Sequence, residues 1–374
     1  METPYPSAPA DVSKRIVERG LLPPRQLTLS ITSACNLQCQ HCWIECSPTG
    51  AVRHVEVTGL QKLLSELPAL GVSELCLTGG EPLLHPYWRE ILAACCQNPA
   101  INKIVLQTNG TLISAEVARL LSTGPYAKVQ CQISLDGCSA ETHDLIRGGG
   151  SLVLARRGLG CLVDAGLASR TTIAFTEMRH NIHEIPALLE LADQLGLARV
   201  VGFPLIKAGS AEQSDMSMPP TGDQYVALLE QFRNDEMFRQ RYERMGSFPA
   251  IEWTRGDSCG VHRGCRFLEK PYVTADGLVY PCALLQDERF AGRGAYKSSL
   301  SEVIMANLPA WEDLMQVSRM RVKEMDCIES CPGGLHCGGG CLARAYITSG
   351  SLMAREDRCD LRKQVYAWKD KAGK

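Results

Sequence analysis

The feature that most constrains this chain is a C-x3-C-x2-C group of cysteines within residues 35–42, directly after an apolar segment at residues 27–31. Such a short apolar run is typical of a buried strand. Three thiolates can hold three irons of a [4Fe–4S] cluster and leave the fourth iron open. A structural zinc ion instead requires four ligands, and His41 or Cys46 could supply the fourth. The segment therefore predicts a metal centre in a loop after a strand, with a cluster and a zinc ion as alternatives.

The chain beyond this loop alternates between segments with strand character and segments with helical spacing of leucines. The predicted strands are residues 27–31, 73–78, 103–107, 129–135, 171–175 and 199–205, and the predicted helices are residues 58–70, 87–97, 114–121, 152–165 and 185–196. Strands that alternate with helices pair in parallel through right-handed crossovers. We therefore predict an α/β fold with a partial barrel of six strand–helix units.

Short motifs stand at the ends of the next three predicted strands. Gly-Gly-Glu-Pro at residues 79–82 follows the second strand, Thr-Asn-Gly at residues 108–110 follows the third, and Asp136-Gly137 ends the fourth. Loops after the strands of such a barrel meet at one face, so these motifs and the cysteine group are expected at one mouth. Taken alone, the Gly-Gly-Glu-Pro segment is equally typical of a tight turn with glycines at positive φ.

The cysteine group, with the aromatic His41 before its last cysteine, resembles the signature of the radical S-adenosylmethionine (SAM) enzymes. In that family the open iron binds SAM, whose reductive cleavage yields a 5′-deoxyadenosyl radical that removes a hydrogen atom from an unactivated C–H bond. The resemblance implies that Cys35, Cys39 and Cys42 ligate this [4Fe–4S] cluster. The residues that it implies at SAM are His41, Gly79, Gly80, Glu81, Pro82, Ser134, Asp136 and Arg147. Asp136 could equally cap a turn, and Arg147 could be an exposed helical arginine.

Eight further cysteines lie between residues 259 and 359. They are Cys259, Cys265, Cys282, Cys327, Cys331, Cys337, Cys341 and Cys359. Alternation around Asp276-Gly277 predicts a β-hairpin that delivers Cys282. Eight cysteines can complete two [4Fe–4S] clusters, and two zinc sites would use the same number.

This second group resembles the SPASM domain, a two-cluster extension found in anaerobic sulfatase-maturating enzymes and in enzymes that modify ribosomal peptides. The resemblance covers about residues 255–362 and implies a small Cys-rich α+β domain with two auxiliary [4Fe–4S] clusters, three clusters in all. It implies that Cys259, Cys265, Cys282 and Cys341 hold one auxiliary cluster, and Cys327, Cys331, Cys337 and Cys359 the other.

Two departures from the SPASM pattern are visible. Three residues rather than two separate Cys327 from Cys331, which affects the local loop geometry. The sulfatase-maturating enzymes carry an aspartate, the expected base, directly after the cysteine that matches Cys282, and this chain has Ala283 there. The second departure argues against sulfatase maturation.

Composition restricts the partners. The net charge of −2 and the lack of a basic run give no sign of a nucleic-acid partner. No segment approaches the ~18 continuous apolar residues of a membrane span, and residues 1–20 do not resemble a signal peptide. We therefore expect a cytoplasmic protein. The cysteines outside the two groups are interpreted as small buried hydrophobes: Cys76, Cys95, Cys96, Cys131, Cys138 and Cys161.

The predicted organisation has five parts. They are an N-terminal arm at residues 1–25, the barrel at 26–210, a linker and helix at 211–254, the auxiliary-cluster domain at 255–362 and a tail at 363–374. Within them, residues 208–220 are rich in Ser, Met and Pro and are interpreted as a mobile linker or lid, and residues 225–237 as an amphipathic helix.

These resemblances imply an oxidoreductase that cleaves SAM, abstracts a hydrogen atom and passes the remaining substrate electron to an auxiliary cluster. The substrate predicted is a ribosomally made peptide or protein; the alternatives are a small metabolite such as an aminosugar, or a non-enzymatic zinc or electron-transfer protein. A reducing partner such as flavodoxin or ferredoxin is implied. A closed cavity lined by carboxylates would favour the aminosugar, because a few polar groups must then fix a small molecule.

Overall fold

The computed structural model describes residues 9–44, 46, 52–255, 265–325, 331–333 and 337–372. Its centre is a row of six parallel strands in chain order. They are β1 (Gln26–Ser30), β2 (Glu74–Thr78), β3 (Lys103–Thr108), β4 (Val129–Ser134), β5 (Thr171–Glu177) and β6 (Arg199–Pro204). The predicted α/β fold with a partial barrel is confirmed, and each strand lies within two residues of its predicted bounds.

Helices connect these strands and cover the sheet. They are α1 (Pro9–Glu18), α2 (Val57–Leu70), α3 (Trp88–Gln97), α4 (Ala115–Ser122), α5 (Ala140–Arg147), α6 (Ser151–Asp164) and α7 (Ile185–Gln194), with short 3-10 helices at Pro82–Leu84, Gly124–Tyr126, Ala168–Arg170 and Ile182–Glu184. In α2, five leucines at helical spacing are buried against the sheet. Gly71 ends this helix in the left-handed conformation, at φ 80°.

The C-terminal half continues the same sheet at both of its ends. Its elements are α8 (Ser210–Gln213), α9 (Gly222–Asn234), α10 (Glu236–Met245), β7 (Gly246–Ser247), α11 (Pro249–Arg255), β8 (Tyr272–Val273), β9 (Leu278–Tyr280), a 3-10 helix at Glu288–Phe290, β10 (Gly292–Arg293), α12 (Leu300–Glu324), α13 (Leu342–Ser349) and α14 (Cys359–Ala372). Strand β7 pairs with β6, and β8 pairs in parallel with β1. In the described residues the sheet therefore has ten strands, in the order β10-β9-β8-β1-β2-β3-β4-β5-β6-β7.

The predicted hairpin around Asp276-Gly277 is formed by β8 and β9, which pair antiparallel. Gly277 takes φ 85°, a conformation that glycine adopts at little cost. The pairing of β8 with β1 was not predicted. It makes the segment that leads to Cys282 part of the barrel sheet.

Residues 208–220, interpreted as a mobile linker or lid, are packed against the triad loop. The Ser217 hydroxyl donates to the Gln40 carbonyl oxygen at 2.8 Å, and the Ser214 hydroxyl donates to the Gln40 side chain at 2.9 Å. Ala211, in α8, is fully buried. These hydrogen bonds attach the segment to the triad loop. Composition alone does not reveal them, because their partner lies far away along the chain.

Among the described residues, no helix combines the length and the apolar character needed to cross a membrane.

Candidate active site

The loop after β1 carries the cysteine triad and rests on the turn after β2. The Gly80 N–H donates to the Thr32 carbonyl oxygen at 2.8 Å, and the Glu81 N–H donates to the Ala34 carbonyl oxygen at 2.7 Å. A Cβ atom on Gly80 would lie 2.1 Å from the Ala34 carbonyl oxygen, and one on Gly79 would lie 2.3 Å from the Thr32 carbonyl oxygen. Contact between the two loops therefore requires both glycines, a reason that is additional to the approach of SAM that the resemblance implies.

The three triad thiols face one cavity. Burial, assisted by the nearby thiols of Cys35 and Cys42, raises the pKa of Cys39 to about 11. A hydrogen bond from the Cys46 thiol lowers the pKa of Cys42 to about 7. The donor set fits a cluster held by three thiolates, which must be deprotonated on binding. Cys46, the candidate fourth ligand of the zinc alternative, also lines the cavity beside Cys42.

The Glu81 carboxylate is directed into the protein and not into the cavity. It is fully buried and accepts hydrogen bonds from the Thr108 hydroxyl at 2.7 Å, the Asn109 N–H at 2.8 Å and the Leu83 N–H at 3.2 Å. Burial raises the pKa of Glu81 to about 7. Pro82, also buried, begins the 3-10 helix at Pro82–Leu84. Glu81 thus fixes the turn after β2 to the loop after β3.

Asn36, inside the triad, is a positioning residue that the sequence did not indicate. Its side-chain amide donates to the Thr111 hydroxyl at 2.8 Å and accepts from the Asn109 amide at 3.0 Å. The Asn109 side-chain oxygen, Oδ1, in turn accepts from the Thr111 hydroxyl at 2.7 Å. The sequence signal that could have indicated this role is the Thr-Asn-Gly motif after the third strand, which was expected at the same face of the barrel as the triad. These bonds hold the loops after β1 and β3 together.

Asp136, Arg147 and His41 form a buried group behind the triad. Arg147 Nε donates to Asp136 Oδ2 at 2.6 Å, and His41 Nε2 lies 3.2 Å from the same oxygen. The Thr176 N–H donates to Asp136 Oδ1 at 2.7 Å. Arg147 Nη1 lies 4.0 Å from Cys39 Sγ. The guanidinium is therefore held between a carboxylate and a triad cysteine.

Charge in this group is confined to the ion pair. Burial alone would raise the pKa of Asp136, but the Arg147 guanidinium, with further help from His41, holds it below its ordinary value. Burial lowers the pKa of His41 to about 4, so the imidazole is neutral at pH 7 and its contact with Asp136 is a hydrogen bond. Arg147, expected either at SAM or exposed on a helix, is buried and paired.

The residues predicted at SAM divide into two sets. His41, Gly79, Gly80, Ser134 and Arg147 line the cavity, whereas Glu81, Pro82 and Asp136 lie behind its wall. The second set contacts the first and the triad loop, so those three residues are placed to orient the wall.

The cavity has a volume of about 700 Å³, within the range of small-molecule and cofactor sites. Strand residues give it a polar floor, and Trp43, Phe203, Tyr272 and Leu284 contribute aromatic and apolar walls. Among the lining residues that the structure describes, there is no aspartate or glutamate. The carboxylate lining expected for an aminosugar is therefore not found in this part of the chain.

The second cysteine group separates into two sets in the described residues. Cys265 and Cys341 are both close enough to Cys282 for their charges to raise its pKa, in addition to the larger effect of burial. Cys331, Cys337 and Cys359 line a separate small cavity. Cys259 and Cys327 lie outside the described residues. Within the described ranges, no three His, Cys, Asp or Glu side chains form a group that could hold a single metal ion.

A buried ion pair connects these two sets. Arg362 Nη1 donates to Cys337 Sγ at 2.9 Å, and Arg362 Nε lies 3.0 Å from Glu356 Oε1. The other oxygen of Glu356 accepts from the Cys341 N–H at 2.9 Å. The Arg362 guanidinium also lies over the Trp253 ring, 4.9 Å from its centroid. The Glu356 carboxylate thus contacts Cys341 of the first set, and the Arg362 guanidinium contacts Cys337 of the second set.

Sequence comparison identifies relatives over nearly the whole chain. Residues 29–192 match the family described as the radical SAM superfamily. Mycofactocin maturase MftC of Mycobacterium ulcerans is 28% identical, over 91% of this chain and 89% of its own length. The antilisterial bacteriocin subtilosin biosynthesis protein AlbA of Bacillus subtilis is 29% identical, over 84% of this chain and 67% of its own length. The AdoMet-dependent heme synthase of Methanosarcina barkeri is 27% identical, over 90% of this chain and 96% of its own length.

Structural comparison supports the fold. The structure described as native anSMEcpe with bound AdoMet superposes with a TM-score of 0.72 at 17% identity, and the match covers 93% of this chain and 98% of the other. At this identity the likeness concerns the fold alone.

Proposed function

We propose that this chain is a radical SAM enzyme that modifies a ribosomally made peptide or protein. The proposal starts from the radical SAM match over residues 29–192. The observation that carries the proposal is the gathering of Cys35, Cys39 and Cys42 on a cavity that the turn after β2 also lines. When bound, a [4Fe–4S] cluster and SAM supply a 5′-deoxyadenosyl radical that can remove a hydrogen atom from a substrate C–H bond.

The chain's own residues would orient and shield this chemistry. The triad thiolates would hold the cluster, and Gly79 and Gly80 leave room for the triad loop beside β2. Arg147, fixed by Asp136, would place a permanent positive charge beside Cys39. Ser134 and His41 would meet SAM from the cavity wall. The aromatic and apolar side chains of the cavity wall, Trp43, Phe203 and Leu284, would limit the access of water.

The C-terminal cysteines are proposed to hold two auxiliary [4Fe–4S] clusters. Cys259, Cys265, Cys282 and Cys341 would form one ligand set, and Cys327, Cys331, Cys337 and Cys359 the other. The arrangement of the six described members supports this division. Ala283 and Leu284, directly after Cys282, line the main cavity. A substrate there would therefore be near the first auxiliary site, which suits the removal of an electron from it.

A peptide substrate is favoured by the cavity and by the relatives. Among the described lining residues no carboxylate is present to bind an aminosugar, and relatives named as a maturase and as a bacteriocin biosynthesis protein cover most of the chain. The second candidate is a small-molecule substrate, which the AdoMet-dependent heme synthase relative favours. A small electron carrier, such as flavodoxin or ferredoxin, is proposed as the reducing partner.

The proposal is tested by replacing all three triad cysteines with alanine. Anaerobically reconstituted wild-type protein should hold about twelve irons, and the triple variant should lose about a third of them and all reductive SAM cleavage. Cys161→Ala, a half-buried cysteine outside both groups, is the matched control and should retain iron and cleavage. Cleavage that persists in the triple variant contradicts the proposal.

A further inference from the structure

Two glutamine side chains enter the main cavity side by side from adjacent strands. Gln107 of β3 and Gln132 of β4 are partners in the parallel register, and both line the cavity. Partners in a parallel register project from the same face of the sheet. The two amides are therefore neighbours on the polar floor.

Both amides are left available by the part of the protein that the structure describes. In the part of the chain that the structure describes, neither the Gln107 nor the Gln132 side chain is hydrogen-bonded to another protein group. Asn109, two residues beyond Gln107, differs, because its amide bonds Asn36 and Thr111. Polar groups in a concave site that lack protein partners require water or a ligand to satisfy them.

The described lining of the cavity offers no free counter-ion to a charged group of the substrate. No aspartate or glutamate lines the cavity among the described residues. Its charged lining residue in those ranges, Arg147, is already paired with Asp136 at 2.6 Å. A charged substrate group placed there would lose its hydration without gaining a counter-ion, which is costly.

We propose that Gln107 and Gln132 form a substrate subsite that binds an uncharged amide. Each glutamine amide offers donors and an acceptor, so the pair can satisfy both the C=O and the N–H of an amide at once. That amide would be a peptide bond or a side-chain carboxamide of the substrate. The inference rests on the proposed function and adds the chemical class of the group that is held beside the triad.

The test measures binding of short blocked peptides to the reconstituted, SAM-loaded enzyme. The peptides have the form acetyl-Ala-Ala-Xaa-Ala-Ala-amide with Xaa as Leu, Asn, Asp or Lys, and a fifth replaces the central amide of the Leu peptide with an ester. Trp43 lines the cavity and reports binding by its fluorescence, with Trp43→Phe to assign the signal. Equilibrium dialysis gives an independent dissociation constant.

The wild type should bind the Leu or the Asn peptide at least about tenfold more tightly than the Asp and Lys peptides, the size expected from one unmatched buried group. A preference for Asn over Leu identifies a side-chain carboxamide, whereas equal binding that the ester abolishes identifies a peptide bond. Gln132→Glu should shift the preference to Lys. Gln130→Glu, on the same strand but outside the cavity lining, is the matched control and should not.

Tighter binding of the Asp or Lys peptide by the wild type, no measurable binding of any peptide, or unchanged discrimination in Gln132→Glu overturns the amide subsite. Reductive SAM cleavage without peptide is followed in the wild type and in Gln130→Glu. Wild-type protein that cleaves SAM but does not discriminate among the peptides refutes the subsite alone. Wild-type protein that does not cleave SAM refutes the proposed function.

Discussion

Replacing Asp136 with asparagine should lower the thermal stability of the protein, whether or not it also weakens SAM binding. Asp136 is fully buried and bonds the Arg147 guanidinium through one oxygen and the Thr176 N–H through the other. Asparagine keeps the shape and removes the charge. Arg147, about 10% exposed, would then be a buried cation without its nearest counter-ion, with Cys39 Sγ 4.0 Å away. Breaking one side of a buried ion pair costs about 3–5 kcal/mol.

The size of the effect on thermal unfolding follows from chain length. Unfolding entropy is about 2.1 cal/mol/K per residue, so 374 residues give about 0.8 kcal/mol/K for a cooperative transition. A loss of about 3–5 kcal/mol then lowers the unfolding midpoint by about 4–6 °C. Differential scanning calorimetry of anaerobically reconstituted protein measures this shift. Asp164→Asn, at an exposed position at the end of α6, is the control and should change stability by no more than about 0.5 kcal/mol.

Two outcomes would refute this reasoning. An unchanged midpoint together with unchanged SAM affinity in Asp136→Asn would mean that Arg147 does not depend on Asp136. An unchanged midpoint together with a large loss of SAM affinity would mean that Asp136 contacts the cofactor directly, as the resemblance implied, and not through Arg147.

Gly80→Ala should lose about a third of the bound iron, because its Cβ would overlap the Ala34 carbonyl oxygen and displace the triad loop; Gly160→Ala, where a Cβ meets nothing within 4 Å, should keep all of it. Cys282→Ala should retain measurable SAM cleavage but form little oxidised product, and product at the wild-type level in a mass-spectrometric assay would make the auxiliary sites structural. Burial raises the pKa of Glu177 to about 7, so its contribution to stability is present at acidic pH and is lost as pH rises through about 7. Glu177→Gln should therefore show a smaller fall in unfolding midpoint between about pH 5 and 8 than the wild type; an equal fall argues against a buried, titrating carboxyl.

The barrel was predictable because its signals are local. Each strand from β1 to β6 shows its own apolar pattern. The turns after β2 and β3 contain glycines at positive φ, Gly79 and Gly110. Gly277, at φ 85° between β8 and β9, indicated the hairpin in the same way. Such patterns depend on neighbours within a few residues, so one sequence is enough to reveal them.

Contacts that form only when separate helices, strands and loops pack together were not predictable in this way. Arg147 and Asp136 meet because α5 folds back over the end of β4, and nothing in the sequence distinguishes this arginine from an exposed one. Ser217 looked like a linker residue, yet it is fully buried and donates to the carbonyl of Gln40, 177 residues away along the chain. The pairing of β8 with β1 joins segments that lie even farther apart along the chain, and strands of two residues carry no register signal.

This pairing changes how the two cysteine groups are related. The sequence suggested a barrel and an auxiliary domain joined by a linker, but β8 hydrogen-bonds to β1, whose loop carries the triad. A second attachment is made by Glu66 of α2, which accepts from the Ser299 hydroxyl at 2.6 Å and from the Ser301 N–H at 3.0 Å at the start of α12. The spacing between the triad and Cys282 is therefore set by strand pairing and not by a flexible linker. Because Ala283 and Leu284 line the main cavity, a loss of order around Cys282 would also alter the wall against which the substrate packs.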